Sequence, residues 1–202
     1  MEDVLARLDD AVARLGALTA GRVRAATTHD DGDDVEGTVA TDDAIGFDPR
    51  PLLRAIDRAG AEAVVMGQVA GILHGSAELT GDLDLLWDGD PGRRIALAAG
   101  FGAAGATLVD DDGRPVACDE AAFALPKVQF ATERASGDCC TPALPWGALD
   151  IRAIVARALV ATGPDGLRVR YLTLPDLVTM RRAVGRPKDL RRAAELEALA
   201  RR

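Results

Sequence analysis

Residues 64–88 read VVMGQVAGILHGSAELTGDLDLLWD, and the fold turns on how this stretch is parsed. Val64-Val65-Met66 is a short apolar, β-branched run that predicts a strand, and it stops at Gly67, where the backbone can turn tightly and approach a ligand. From Gln68 to Leu73 the spacing is helical, with Val69, Ile72 and Leu73 on one side and Gly75 placed as a C-terminal stop. Asp82 to Trp87 then predicts a second strand. Residues i and i+2 of a strand share a face, so Asp82 and Asp84 point one way while Leu83 and Leu85 point into packing. Two carboxylates roughly 7 Å apart repel unless a cation lies between them. A hard divalent ion such as Mg²⁺, completed by water and phosphate, suits that oxygen pair.

Working outward, Met1 to Leu18 carries Val4, Leu5, Leu8, Val12, Leu15 and Leu18 at helical spacing. The apolar face of this helix must meet the body or another subunit. The segment 21–46 is acidic and poor in large apolar residues, and reads as a flexible linker. Its aspartates at 30, 31, 33 and 34 are a solvated loop before they are a calcium site. Asp48 is expected to cap a helix running to about Arg58. The chain thus divides into an N-terminal helix (1–20), a linker (21–46) and one α/β domain (47–202).

Downstream, 91–104 predicts a helix. Gly100, Gly102 and Gly105 inside it match GxGxxG in form only, because a helix precedes them instead of a strand. Residues 107–109 and 116–118 predict a hairpin around Asp110-Asp111-Asp112-Gly113. Further strands are expected at 128–132, 136–140 and 167–172, and a helix at 151–160. Thr173 caps a helix with Asp176 at its third position, and 188–202 forms the last helix, with Leu190, Ala193, Leu196 and Leu199 inward.

Composition bounds the function. The chain has 202 residues, 48% hydrophobic but only 3% aromatic, which favours alanine-rich helices around a small sheet. A net charge of −8 argues against diffuse attraction to nucleic acid, so a nucleotide or RNA partner needs a local basic patch or a metal bridge. Lys127 and Lys188 are the only lysines, every other basic side chain being arginine. The three cysteines suggest no disulfide framework, and with no long apolar span the chain is expected in the cytoplasm, away from membranes.

Gly67-Gln68, a short helix, then Asp82-Leu83-Asp84, with His74-Gly75-Ser76 and Thr80 between, resembles the minimal nucleotidyltransferases of the polymerase-β-like superfamily, including the toxin-associated AbiEii-like branch. Leu174-Pro175-Asp176-Leu177 and Gly185-Arg186-Pro187-Lys188-Asp189-Leu190 extend the resemblance, which covers Phe47 to the end. It implies a nucleotidyltransferase fold, a small mixed sheet flanked by helices with further C-terminal helices. It also implies a Mg²⁺-dependent transfer of NMP from an NTP to a hydroxyl on RNA (tRNA included), a protein or a small molecule, toxin-like elements among them. Asp82 and Asp84 would be catalytic metal ligands, and Gly67, Gln68 and Lys188 would hold the nucleotide. The family expects a third carboxylate, catalytic and a further metal ligand, on a neighbouring strand. Asp138 is preferred on spacing; Asp150 is the other candidate, though it could simply cap the helix at Ile151. His74 is read as a helix-end residue outside catalysis, and Arg181 and Arg186 as added positive charge or a solvated face.

The chain departs from the family pattern in three places. Gln68 replaces a usual Ser or Gly, Glu78 stands where many relatives carry Arg, and Arg181 where a Lys is common. These motivate a second expectation, a catalytically lapsed nucleotidyltransferase fold acting as a binding or regulatory module. A homo- or hetero-oligomer through the N-terminal helix is a further expectation.

Overall fold

The computed structural model describes residues 4–27 and 37–201, so the aspartates at 30–34 lie outside the described residues. The chain is mixed α/β. Strands β1 (Val64–Val65), β2 (Leu85–Leu86), β3 (Thr107–Val109), β4 (Pro115–Val116), β5 (Lys127–Ala131), β6 (Ser136–Cys140), β7 (Leu159–Thr162) and β8 (Arg168–Tyr171) form one sheet. Its order is β4-β3-β5-β6-β2-β1-β8-β7, which sets the opening stretch in the middle. The helices are α1 (Val4–Thr19), α2 (Arg50–Arg58), α3 (Gly67–Leu73), α4 (Arg94–Ala103), α5 (Ile151–Ala156), α6 (Leu174–Val184) and α7 (Pro187–Ala200). None of the described helices is long and apolar enough to cross a membrane.

β1 and β2 are antiparallel neighbours joined through α3, while β2 runs parallel to β6 and β1 parallel to β8. Val64, Leu83, Leu85 and Leu86 are all fully buried. A buried Val or Leu contributes about 1.5–3 kcal/mol, so this centre is strongly anchored. The aspartates between these leucines are therefore held in place by packing they do not share. Only Leu85–Leu86 forms ladder pairs, but the chain is already extended before them. Met66 N–H donates to Asp84 O at 2.9 Å and Leu83 N–H to Ser136 O at 2.9 Å.

The apolar face of α1 (Leu5, Leu8, Ala11 and Leu15) is buried against α3 and β7 of the same chain. The segment expected as linker is structured where it is described. Residues 37–40 and 42–44 form two 3-10 turns with Thr38, Thr41 and Ala44 buried. A Cβ on Gly81 would lie 2.7 Å from the Ala44 Cα, so the turn presses directly on the strand that carries Asp82. Composition misled here because the segment is fixed by hydroxyl hydrogen bonds and close backbone contact, with few large side chains involved.

Other boundaries shift for local reasons. The helix expected over 151–160 ends at Ala156, and Leu159–Thr162 becomes edge strand β7, paired antiparallel with β8. Leu159 and Val160 are half exposed there, consistent with an edge. Asp48 does not cap α2, which begins after Pro49. It accepts the Arg50 N–H at 3.1 Å and the Arg50 Nε at 2.7 Å. Leu190, expected inward, is 49% exposed, whereas Ala193 and Leu196 are buried. The GxGxxG run lies in and just after α4. A Cβ on Gly100 would meet the Ile56 Cα at 2.9 Å, so this glycine serves the contact between α4 and α2. The three aspartates at 110–112 form the polar turn of the β3–β4 hairpin, with Asp110 Oδ1 accepting the Asp112 and Arg114 N–H groups.

Candidate functional site

Alternation along the central strand leaves Asp82 and Asp84 half-buried between the fully buried Leu83 and Leu85. Pairing of Leu85 with Cys139 and Leu86 with Cys140 extends by one residue to set Asp84 beside Asp138. Gly137 makes that approach possible, since a Cβ there would fall 2.0 Å from the Leu83 carbonyl oxygen. Asp82, Asp84 and Asp138 consequently line the same two adjoining clefts, of about 260 and 410 Å³. Asp150 is elsewhere in role: its carboxylate accepts the Ala153 N–H at 3.0 Å and caps α5. Of the two sequence candidates for the third carboxylate, Asp138 joins the pair.

Asp82 is gripped from the side. Its Oδ1 accepts from Thr80 Oγ1, two residues earlier, and from Thr38 Oγ1 at 3.0 Å. Thr38 Oγ1 also accepts the Gly81 N–H at 2.9 Å and lies 2.9 Å from Thr80 Oγ1. One carboxylate oxygen is thus fixed by hydroxyls from two separate segments. Thr38 was invisible to sequence reading because the segment holding it has no periodicity.

Gly67 adopts a left-handed backbone with φ +61°, and a Cβ there would fall 1.9 Å from Asp84 Oδ2. No other residue fits. Gln68 lines the smaller cleft but is only 3% exposed, and its side chain is turned to the protein. Its Nε2 donates to Ser76 Oγ at 3.0 Å and to Glu78 O at 2.9 Å, while its Oε1 accepts from Arg181 Nη2 at 2.8 Å. The expectation that this amide donates to phosphate, as a serine would, is therefore replaced by a structural role. Arg181 Nη2 also donates to Gly67 O at 2.9 Å, clamping the glycine turn. Burial, reinforced by the Arg192 charge, pushes the Arg181 guanidinium down to about 10, which still leaves it charged near neutrality. Among the described residues, none gives its buried Nε a hydrogen-bond partner.

The smaller cleft gathers the rest of the basic charge. Lys188, at the start of α7, lines it with Arg186, Arg192 and Lys127. Arg186 also holds Asp189 at 2.6 Å, so Asp189 serves the turn into α7. Lys127 Nζ lies 3.8 Å from Asp138 Oδ2 and 2.7 Å from Asp111 Oδ1. Burial opposes its charge, but those carboxylates win and hold the ammonium above its ordinary range. Sequence marks Lys127 only as one of the chain's two lysines and gives it no role; the fold brings both to this one cleft. Leu144, Trp146, Leu172, Leu177, Met180 and Val184 supply apolar lining to the same cleft. His74 stays outside. Its Nε2 lies 2.8 Å from Leu172 O, its ring packs tilted against Tyr171, and burial lowers its pKa.

Among the described residues, no group of three or more His, Cys, Asp and Glu side chains stands ready to hold a metal ion. The donor chemistry nonetheless fits Mg²⁺, which takes one or two carboxylates and completes its shell with water and substrate phosphate. Asp82 and Asp84 meet that requirement without a third ligand. No family model matches the chain, and no curated protein sequence matches it either.

Proposed function

We propose that this chain is a Mg²⁺-dependent nucleotidyltransferase with the polymerase-β-like fold, moving NMP from an NTP to a hydroxyl acceptor. One observation carries the reading. A cleft lined by Lys127, Arg181, Arg186, Lys188 and Arg192 meets a second cleft that holds no Lys or Arg among its lining residues, and the two share Asp82, Asp84 and Asp138. That is the layout a polyanionic donor and a separate nucleophile require.

In this reading the triphosphate lies along the basic cleft, against the Gly67 turn that Arg181 clamps, with Lys188 and Arg186 offsetting its charge. The base rests on the apolar lining that includes Trp146. The acceptor hydroxyl oxygen forms a bond to the α-phosphorus, the bond to the bridging oxygen breaks, and pyrophosphate leaves. The hydroxyl proton passes to the Asp138 carboxylate and from there to water. Asp82, pinned by Thr38 and Thr80, and Asp84 would hold Mg²⁺, which supplies neutralisation of the phosphate charge that develops in transfer.

The second reading, a lapsed fold that binds without turnover, is favoured by the inward-turned Gln68 amide. Incubating the protein with α-labelled NTPs, Mg²⁺ and pools of RNA, protein and small hydroxyl compounds separates the two. Labelled acceptor with released pyrophosphate supports transfer. Mg²⁺-dependent NTP binding with no label moved supports the binding module, and no NTP binding at millimolar metal removes the transferase.

A further inference from the structure

The 3-10 turn over 37–40 reaches the site through one side chain. Thr38 Oγ1 gives its single hydrogen to Asp82 Oδ1 at 3.0 Å and accepts the Gly81 N–H at 2.9 Å, so it holds both the carboxylate and the backbone just before it. Thr38 and Thr80, the two hydroxyls on Asp82 Oδ1, are both buried, so water competes little for either bond. Two hydroxyls converging on one oxygen stop the carboxylate turning about its Cβ–Cγ bond, and Asp82 meets a cation in one orientation. Mg²⁺ demands near-ideal octahedral geometry, and a ligand oriented beforehand suits it.

Thr38 is itself held by an arginine outside the clefts. A 3-10 turn leaves its last carbonyls without partners inside the turn. Arg22, just past α1, supplies them: Nη1 donates to Val39 O at 2.7 Å, and Nη2 to Ala40 O at 2.7 Å and Thr41 O at 3.2 Å. Thr41 Oγ1 donates to Thr38 O at 2.8 Å, so every carbonyl from 38 to 41 is satisfied. The same two stretches are joined a second time. Asp42 Oδ1 accepts the Ala25 N–H at 3.0 Å and Oδ2 the Ala26 N–H at 2.8 Å, where Ala26 takes a left-handed backbone at φ +60°. An alanine persists in that conformation only where its surroundings impose it. Arg22 lines neither of the clefts that carry the aspartates, so its influence on the site passes through the turn.

We propose that Thr38 and Arg22 are positioning residues for Mg²⁺ binding, so that two stretches ahead of the nucleotidyltransferase-like region, 22–27 and 37–44, complete the site by orienting Asp82. The proposal rests on the nucleotidyltransferase reading. Thr38 acts on the Asp82 carboxylate and Arg22 on the carbonyls of the turn, and neither bonds to metal or nucleotide in this role. Losing either loosens Asp82 and raises the Mg²⁺ concentration that nucleotide binding needs. The affinity for nucleotide at saturating metal stays the same.

The test titrates Mg²⁺ into the full chain, at constant temperature, with a fluorescent α,β-methylene ATP that binds but cannot release pyrophosphate. Half-saturating Mg²⁺ should rise about 10–100-fold in Thr38→Val, which keeps the side chain's shape and loses both of its bonds. Thr38→Ser should restore it to near the native value, and Arg22→Gln should raise it by less than Thr38→Val does. At saturating Mg²⁺ all four proteins should bind the analogue alike. Metal-free melting temperatures are read alongside. A Thr38→Val protein that melts lower yet keeps the native Mg²⁺ midpoint would give Thr38 a structural role alone and overturn the proposal. So would weak binding that saturating metal does not restore, Thr38→Ser as defective as Thr38→Val, or a native midpoint in Arg22→Gln. If Thr38→Val does not fold, Arg22→Gln decides, because it leaves every cleft residue in place. Absence of any Mg²⁺-dependent binding by the native protein would instead remove the nucleotidyltransferase reading itself, and this proposal with it.

Discussion

Arg181 Nη2 lies 2.8 Å from Gln68 Oε1, and this bond joins two of the three positions at which the chain departs from the polymerase-β-like pattern. The third is one bond further on, because Gln68 Nε2 donates to the Glu78 carbonyl at 2.9 Å. The Glu78 carboxylate in turn takes Arg191 at 2.7 Å and Arg192 at 2.6 Å. Three departures that look independent in sequence are thus one connected network beneath the Gly67 turn. The Gln68 amide is accommodated there because a buried guanidinium meets it.

A stability cycle tests that coupling. Gln68→Ala removes one of the two oxygens that Arg181 Nη2 donates to, leaving Gly67 O, and should cost about 1–3 kcal/mol. Arg181→Met should cost a similar amount by freeing the Gln68 and Gly67 oxygens. If the network is one unit, the double variant loses clearly less than the sum, with a coupling of about 0.5–3 kcal/mol. Urea melts of the four proteins measure it, and simple additivity would refute the connection.

Asp82→Ala and Asp84→Ala should each abolish the Mg²⁺-dependent rise in melting temperature on adding NTP, while the metal-free proteins remain folded. The argument is that Leu83, Leu85 and Leu86 supply the anchoring, whereas the aspartates face the clefts. Ligand binding to the native state raises stability by mass action, so loss of the site removes the rise, separately from what Asp82→Ala loses in its bonds to Thr38 and Thr80. A retained rise in either variant would take that residue out of the metal site.

What the sequence disclosed followed from period and local chemistry. The β1–α3–β2 stretch, the Asp150 and Thr173 caps and the β3–β4 hairpin all announce themselves within a few residues. The third carboxylate could only be narrowed to two, because strand register between β2 and β6 is a long-range property. Thr38 and Lys127 escaped because each reaches the site from a segment distant in sequence and unremarkable in pattern. The two lysines in an arginine-rich chain were noticed, but only the fold brings them to one cleft. Edge strand β7 was missed since Leu159 and Val160 continue an apolar run that suits either a helix or a strand.

Glu78 gives a pH signature for the network. Burial raises its proton affinity, but the hydrogen bonds from Arg191 and Arg192 outweigh that and hold the carboxyl below its ordinary 4.5. With the folded value depressed, its stabilisation is present in full above 4.5 and is lost as pH falls through the folded value. The melting-temperature gap between the native protein and Glu78→Gln should therefore shrink between about pH 6 and about pH 3. A gap that stays constant or widens on acidification would show that these arginines do not stabilise the ionised form.

The sharpest outcome concerns Asp138 and Asp150, the two candidates for the third carboxylate. Asp138→Asn keeps the shape of the side chain but removes the negative charge beside Asp84 and the partner 3.8 Å from Lys127 Nζ. If its carboxylate takes the acceptor proton, transfer should fall by about 10²–10⁴-fold with NTP affinity changed far less, because the proton moves only in the reacting complex. Asp150→Asn should leave transfer unchanged, since it sits at the head of α5 and asparagine caps a helix about as well as aspartate. Its folding stability should also hold within a few tenths of a kcal/mol, roughly the difference between two good caps. Single-turnover NMP transfer and NTP binding, measured on both variants, decide the matter. Normal transfer in Asp138→Asn would move the proton acceptor to Asp82 or Asp84, and a slow Asp150→Asn would mean that α5 positions the site.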